Sequence, residues 1–145
     1  MSKDRIAIIG IGLRLPGGIN NSESLWKLLV EGREAVCEVP PDRWNIDRFY
    51  DAEPGIVGKS IAKRGGFVEG IDQFDPQFFG ISPREAARMD PQQRLLAEVA
   101  WEALEDAGLA AAGLAGSPTG VFVGIATSDY AQLQVKDLTR IDAFT

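Results

Sequence analysis

Ser82-Pro-Arg-Glu-Ala-Ala-Arg-Met-Asp90-Pro-Gln-Gln-Arg-Leu-Leu-Ala-Glu-Val-Ala-Trp-Glu-Ala-Leu-Glu-Asp-Ala-Gly108 carries two helix starts in tandem. Ser82 is a preferred N-cap, Pro83 suits the first helical position, and Glu85 is spaced to reach back as a capping box. Asp90, Pro91 and Gln93 repeat the arrangement. Pro91 cannot continue a helix and keeps Asp90 out of the helical region. The pattern therefore predicts a short helix, a kink, and a long helix over 91–107. Leu96, Val99, Ala100, Ala103, Leu104 and Ala107 recur at helical spacing as one apolar face. Gly108 is the expected stop. The alanines on that face predict close approach to a flat sheet.

On either side lie two β-rich runs. Arg5 to Ile11 is apolar and β-branched without alternation, which predicts a strand buried on both faces of a parallel sheet. Thr119 to Ile125 predicts a second. Strand, long helix, strand then reads as a right-handed βαβ crossover. Asn21 or Ser22 caps a first helix bearing Leu25, Leu28 and Leu29 on one face, with Trp26 beside them and Gly32 ending it. The stretch 36–81 is irregular and rich in aromatics: Trp44, Phe49, Tyr50, Phe67, Phe74, Phe78 and Phe79. A structureless loop that long does not suit a compact domain. It predicts an ordered excursion, with a short hairpin around Gly66-Phe67-Val68. It lacks the interleaved basic residues of a nucleic-acid stacking platform. Ala110 to Ser117 reads as a small-residue linker, and Ser128-Asp129-Tyr130 opens a further helical segment through Leu133. From Asp137 to Thr145 no terminus signal is present, so the expectation is a chain that stops without finishing a domain.

The bulk numbers bound the function. A chain of 145 residues, 45% hydrophobic and 25% charged, suits one soluble domain. The sequence shows no charged-then-apolar leader pattern and no apolar run of spanning length, so neither a signal peptide nor a membrane helix is expected. The net charge of -6 argues against a nucleic-acid surface. There is no histidine, which removes the commonest general base and the commonest metal ligand together. The single cysteine rules out an internal disulfide and fits a reducing cytoplasm.

Candidate chemistry is sparse. Cys37 sits between Glu34 and Glu38, which disfavour its thiolate, and it is read as a small buried or half-buried residue rather than a nucleophile. Glu98, Glu102 and Glu105 share a helix face opposite the apolar stripe and are read as solvated rather than as metal ligands or an acid–base pair. Asp47 and Asp51 are two acids in a polar loop. Lys59, Lys63 and Arg64 form the one compact basic cluster, either a solvated loop or a contact for an acidic partner protein. Gly10-Ile11-Gly12 invites a nucleotide-binding reading. The third glycine of that fingerprint would fall at Leu15, and Pro16-Gly17-Gly18 breaks the chain where the phosphate-binding helix should start. Glycines for a tight turn and close packing are the preferred reading.

Taken with its neighbours, the opening stretch resembles a known family. Met89-Asp-Pro-Gln-Gln-Arg-Leu-Leu96 with Glu98-Val-Ala-Trp-Glu-Ala-Leu-Glu-Asp-Ala-Gly108 looks like the signature of β-ketoacyl synthase domains of modular, type I polyketide synthases. Ile6 to Gly12 with Leu15-Pro-Gly-Gly18, Pro41-Asp-Arg-Trp44, Gly65-Gly-Phe67, Phe74-Asp-Pro-Gln-Phe-Phe-Gly-Ile-Ser82 and Gly120-Val-Phe-Val-Gly124 follow that family in order. The resemblance covers nearly the whole chain and about the N-terminal third of the family's domain. It implies an α/β class: the N-terminal portion of a thiolase-like layered α-β-α-β-α fold, incomplete within residues 1–145, with the aromatic-rich insertion at about 36–81 and the core helix at about 91–107. It implies decarboxylative Claisen condensation of an acyl thioester with a malonyl-type acyl carrier protein. In the family a cysteine nucleophile and two histidines do this work, and all three lie beyond Thr145. No catalytic, cofactor-binding or metal residue is therefore carried over. The resemblance also implies no bound cofactor, a phosphopantetheine arm supplied by the acyl carrier protein, a homodimer of the intact domain, and no nucleic-acid or membrane partner. This chain alone is expected to be inactive. The competing readings are a truncated, non-catalytic structural or interaction module and a nucleotide-binding α/β protein.

Overall fold

A computed structural model describes residues 5–136. They fall into two compact units, Leu13–Glu69 and the chain on either side of it.

In Leu13–Glu69, Leu15 and Ile19 bridge across Pro16-Gly17-Gly18, with the Leu15 N–H donating to the Ile19 carbonyl at 2.9 Å. Gly17 and Gly18 both take positive φ, 83° and 71°, which a tight reversal of this kind requires. Ile19 becomes one of the buried core residues. Helix α1, Ser22–Glu31, starts at Asn21 with a full capping box to Ser24 and ends at Gly32 in the left-handed region. Leu25 and Leu28 are half-buried, whereas Leu29 and Trp26 face solvent. Strand β1, Cys37–Glu38, pairs antiparallel with strand β2, Arg64–Gly65, placing Cys37 opposite Gly65 and Glu38 opposite Arg64. The pairing is long-range, so the hairpin expected around Gly66-Phe67-Val68 is not formed. Gly66 is instead packed on the Pro16 ring, where a Cβ would lie 2.7 Å from Cγ. Trp44 meets Phe67 edge-on at 5.9 Å, and Ser60 bridges Tyr50. These contacts order the aromatic stretch without long strands.

The second unit is built on two helices, α2 (Pro83–Arg88) and α3 (Pro91–Asp106), broken where the sequence breaks them. Ser82 Oγ accepts from the Glu85 N–H at 3.2 Å. The return bond from the Glu85 side chain is not made, so the first box is half formed. The second is complete: Asp90 caps the Gln92 N–H at 2.9 Å and the Gln93 side chain accepts from the Asp90 N–H at 3.3 Å. Gly108, at φ 66°, follows the last turn of α3. Phe74 stacks on Phe79 at 5.2 Å, and Phe78 meets Trp101 of α3 edge-on at 4.9 Å. That contact seats the end of the aromatic stretch on the long helix. The linker contains a short 3-10 turn, Ala111–Leu114, and α4 runs Asp129–Gln134.

Gly10 and Gly12 lie against α3. A Cβ on Gly10 would strike the Ala103 carbonyl and lie 2.8 Å from the Ala107 Cβ. A Cβ on Gly12 would strike the Val99 carbonyl. The glycines therefore serve close packing, and the α3 face they touch is the one read from periodicity. Asp106 adds a bond, accepting from the Ile11 N–H at 2.9 Å. Near a helix C-terminus a carboxylate opposes the macrodipole; this bond gives it a compensating partner.

Two expectations are corrected. Arg5–Ile11 and Thr119–Ile125 carry no regular secondary structure and join no ladder, and the sheet found among the described residues is β1 with β2. Ile6 and Phe122 are each 96% exposed. A strand needs hydrogen-bonded neighbours to be one, and these two segments do not supply them to each other. The crossover is therefore not closed. For the same reason α3 lacks the sheet cover expected of it: Val99, Ala103 and Leu104 are half-buried and Leu96 is 39% exposed.

Candidate functional site

Cys37, expected to be buried or half-buried, has an exposed thiol. Strand β1 is only two residues long, and the residue facing Cys37 is Gly65, which offers no side chain to cover it. The cations nearby are occupied. Arg64 pairs with Glu34 at 2.8 Å and donates to the Val36 carbonyl at 2.7 Å. Lys63 pairs with Glu38 at 3.0 Å and lies 5.5 Å from the Tyr50 ring centroid. Lys59 Nζ donates to the Arg48 carbonyl at 3.0 Å. The basic cluster is thus tied to its own unit. The hydrogen bond and charge of Glu38 raise the Lys63 ammonium above its ordinary pKa, and Glu34 does the same for the Arg64 guanidinium. Both pairs are exposed and screened, so they add little to stability.

Asp47 and Asp51 both sit in local turns. Asp51 accepts from the Glu53 N–H at 3.0 Å, closing a turn. Asp47 donates its own N–H to the Asn45 side chain at 3.0 Å, inside the 3-10 turn Ile46–Arg48. Glu105 is exposed, while Glu98 and Glu102 are half-buried and engaged by neighbours. Among the described residues no three histidine, cysteine, aspartate or glutamate side chains gather as a metal site. The bonds shown for the candidate groups are local: the Asp51 carboxylate closes a turn, and Glu34 and Glu38 pair with cations beside the short strand pair.

Sequence reasoning missed a polar junction at the α2–α3 kink. Tyr130 Oη donates to the Ala87 carbonyl at 2.9 Å, Gln134 Nε2 donates to the Arg88 carbonyl, and Gln92 Nε2 donates to the Thr127 carbonyl at 3.3 Å. Between these groups lies an open cavity of about 370 Å³, lined in part by Asp90, Gln93, Thr127 and Ser128. No local pattern announces it, because each bond spans a long separation in the chain.

The ordered motifs and the helix–kink–helix carry a family identity. The family described as "Beta-ketoacyl synthase, N-terminal domain" matches residues 3–143. The chain belongs to this family. It is 49% identical over 139 residues to a component of the phenolphthiocerol/phthiocerol polyketide synthase of Mycobacterium tuberculosis, covering 96% of this chain and 8% of that protein. It is 54% identical over 128 residues to a mycocerosic acid synthase-like polyketide synthase of Mycolicibacterium smegmatis, covering 88% of this chain and 6% of that one. Among solved structures, an oxazolomycin ketosynthase domain of Streptomyces albus JA3453 superposes with a TM-score of 0.71 at 43% identity, over 78% of this chain and 19% of that one. The ketosynthase from module 6 of the bacillaene synthase of Bacillus subtilis 168 gives 0.66 at 40% identity, over 77% and 18%. This β-ketoacyl synthase chain therefore has an α/β fold, the N-terminal portion of the thiolase-like layered architecture, and corresponds to part of a polyketide synthase ketosynthase. It spans less than a tenth of the length of those curated relatives. No helix among its described residues is long and apolar enough to cross a membrane.

Proposed function

We propose that these residues are the N-terminal scaffold of a ketosynthase whose complete domain carries out decarboxylative Claisen condensation. The observation that carries the reading is the agreement of identity and fold with polyketide synthase ketosynthases along nearly the whole chain. In that reaction an acyl group is held as a cysteine thioester. A malonyl-type unit on acyl carrier protein loses CO₂, and the resulting enolate attacks the thioester carbonyl. The new carbon–carbon bond forms as the carbon–sulfur bond breaks, and the cysteine thiolate leaves. The family's nucleophile and its two histidines have no counterpart in residues 1–145, so this chain contributes framework: α3 as a platform, with Gly10 and Gly12 letting the N-terminal segment lie on it.

The partners of the complete domain on this reading are acyl and malonyl thioesters and an acyl carrier protein, whose phosphopantetheine arm delivers them. The domain binds no cofactor of its own, works as a homodimer in the cytoplasm, and engages neither nucleic acid nor membrane. The chain alone is inactive. A condensing enzyme needs a nucleophile, groups that polarise the thioester and a closed site for two substrates. An exposed thiol with no imidazole to activate it and no closed site around it does not meet these needs together. Intact-protein mass spectrometry after incubation with an acyl thioester tests it. The expected result is no stoichiometric adduct on this chain, and an adduct on a longer polypeptide that includes the family's cysteine region. An adduct on Cys37 accompanied by a β-ketoacyl product from malonyl carrier protein overturns it.

A further inference from the structure

The junction at the α2–α3 kink has the composition of a detachable strap. In a continuous helix the Ala87 carbonyl would accept from the N–H of residue 91, but that residue is Pro91 and has none. The Arg88 carbonyl would accept from the Gln92 N–H, which is taken by the Asp90 side chain at 2.9 Å. The kink therefore takes the helical donors from these two carbonyls, and Tyr130 and Gln134 bind them instead. Within α4 only Tyr130 and Gln134 are half-buried, one turn apart on one face, while Leu133 is 59% exposed. Polar bonds rather than apolar burial thus hold α4 in place. The segment 119–127 that leads into it is paired in no ladder. Once undocked, a helix of six residues is too short to persist alone.

We propose that Thr127–Gln134 is a conformational strap on the kink, closed by Tyr130, Gln134 and Gln92, which undocks and unravels as a unit while α3 stays formed, dismantling the cavity beside Asp90 that its own residues line. Tyr130 and Gln134 are positioning residues in this device. The test is hydrogen exchange on this chain, residue by residue, comparing α4 with α3. The strap requires the Leu133–Val135 amides to exchange through a local opening, faster than the central α3 amides around Val99. Tyr130→Phe, which keeps the ring and removes one hydrogen bond, is expected to speed α4 exchange by about fivefold, with α3 unchanged. Gln134→Ala should act in the same direction. Equal exchange of α4 and α3 in the parent chain overturns the proposal. So does a Tyr130→Phe variant that leaves α4 unaffected, or one that speeds α3 by the same factor, since the two would then open together.

Discussion

The tandem helices and the two apolar segments share one compact unit and fare differently. Over Ser82–Gly108 nearly every local signal is obeyed: the cap at Ser82, the box at Asp90 and Gln93, the break before Pro91, the glycine after the last turn. Over Arg5–Ile11 and Thr119–Ile125 the β-branched composition is as clear, yet no strand forms. The difference is the range of the forces. A helix satisfies its backbone within four residues and its caps within three. A strand satisfies nothing by itself. Its hydrogen bonds come from neighbours anywhere in the chain, so the same quality of local pattern yields an element in one case and an exposed ribbon in the other.

The strongest test of the contrast strikes where the two regions touch. Gly12→Val should drive its side chain into the Val99 carbonyl of α3, and Gly10→Ala should do so at Ala103. Overpacking of this kind costs roughly 1–3 kcal/mol, occasionally more. Each is expected to lower the thermal midpoint and α3 helicity together, followed by circular dichroism. A neutral Gly12→Val would mean that the N-terminal segment is not held on α3 at all.

Val99→Asp comes next. The half-burial of Val99 leaves the new carboxylate partly hydrated, so the expected loss is about 1–3 kcal/mol in a urea titration. A loss no greater than that of Glu105→Ala, on the exposed side of the same helix, would contradict the assigned face. Asp90→Ala should cost about 1 kcal/mol by removing the cap of α3, and Asp90→Asn should restore most of it. If Asn fails to rescue, the carboxylate charge rather than the cap geometry is what matters at the kink.

These expectations show what the chain reveals as text. Asn21, Gly32, Asp90, Pro91 and Gly108 each declare their role because their partners lie within a turn. The face of α3 was legible because Val99, Ala103 and Ala107 repeat at helical spacing, and Gly10 and Gly12 then lie on it. The register of β1 with β2 was not legible: two-residue strands carry no period, and their pairing joins Glu38 to Arg64 across a long stretch. The exposure of Cys37 followed from that register, through the bare Gly65 opposite it. Tyr130 and Gln134 were invisible for a related reason. The carbonyls they bind are freed by Pro91 and Asp90, and nothing in the local sequence names the donor that will fill such a gap.

The smallest effect probes the other unit, where long-range pairing did form. Across the short sheet Glu38 raises the Lys63 ammonium pKa, first by hydrogen bond and then by charge. A cation whose pKa is raised on folding contributes stability that is full below its unfolded value and lost as pH rises through the folded one. The window therefore opens near the ordinary lysine value of 10.5 and extends above it. The Arg64 guanidinium, raised by Glu34, stays charged through that window. Because the Lys63–Glu38 pair is exposed, the change in unfolding midpoint should be slight and should shrink with added salt. The titration itself is the sharper measure. Followed at the Lys63 Cε by NMR, its midpoint should fall in Glu38→Gln and hardly move in Glu34→Gln. A midpoint indifferent to Glu38→Gln would dissolve the Lys63–Glu38 pair and, with it, the side-chain support for the register that sets Glu38 opposite Arg64.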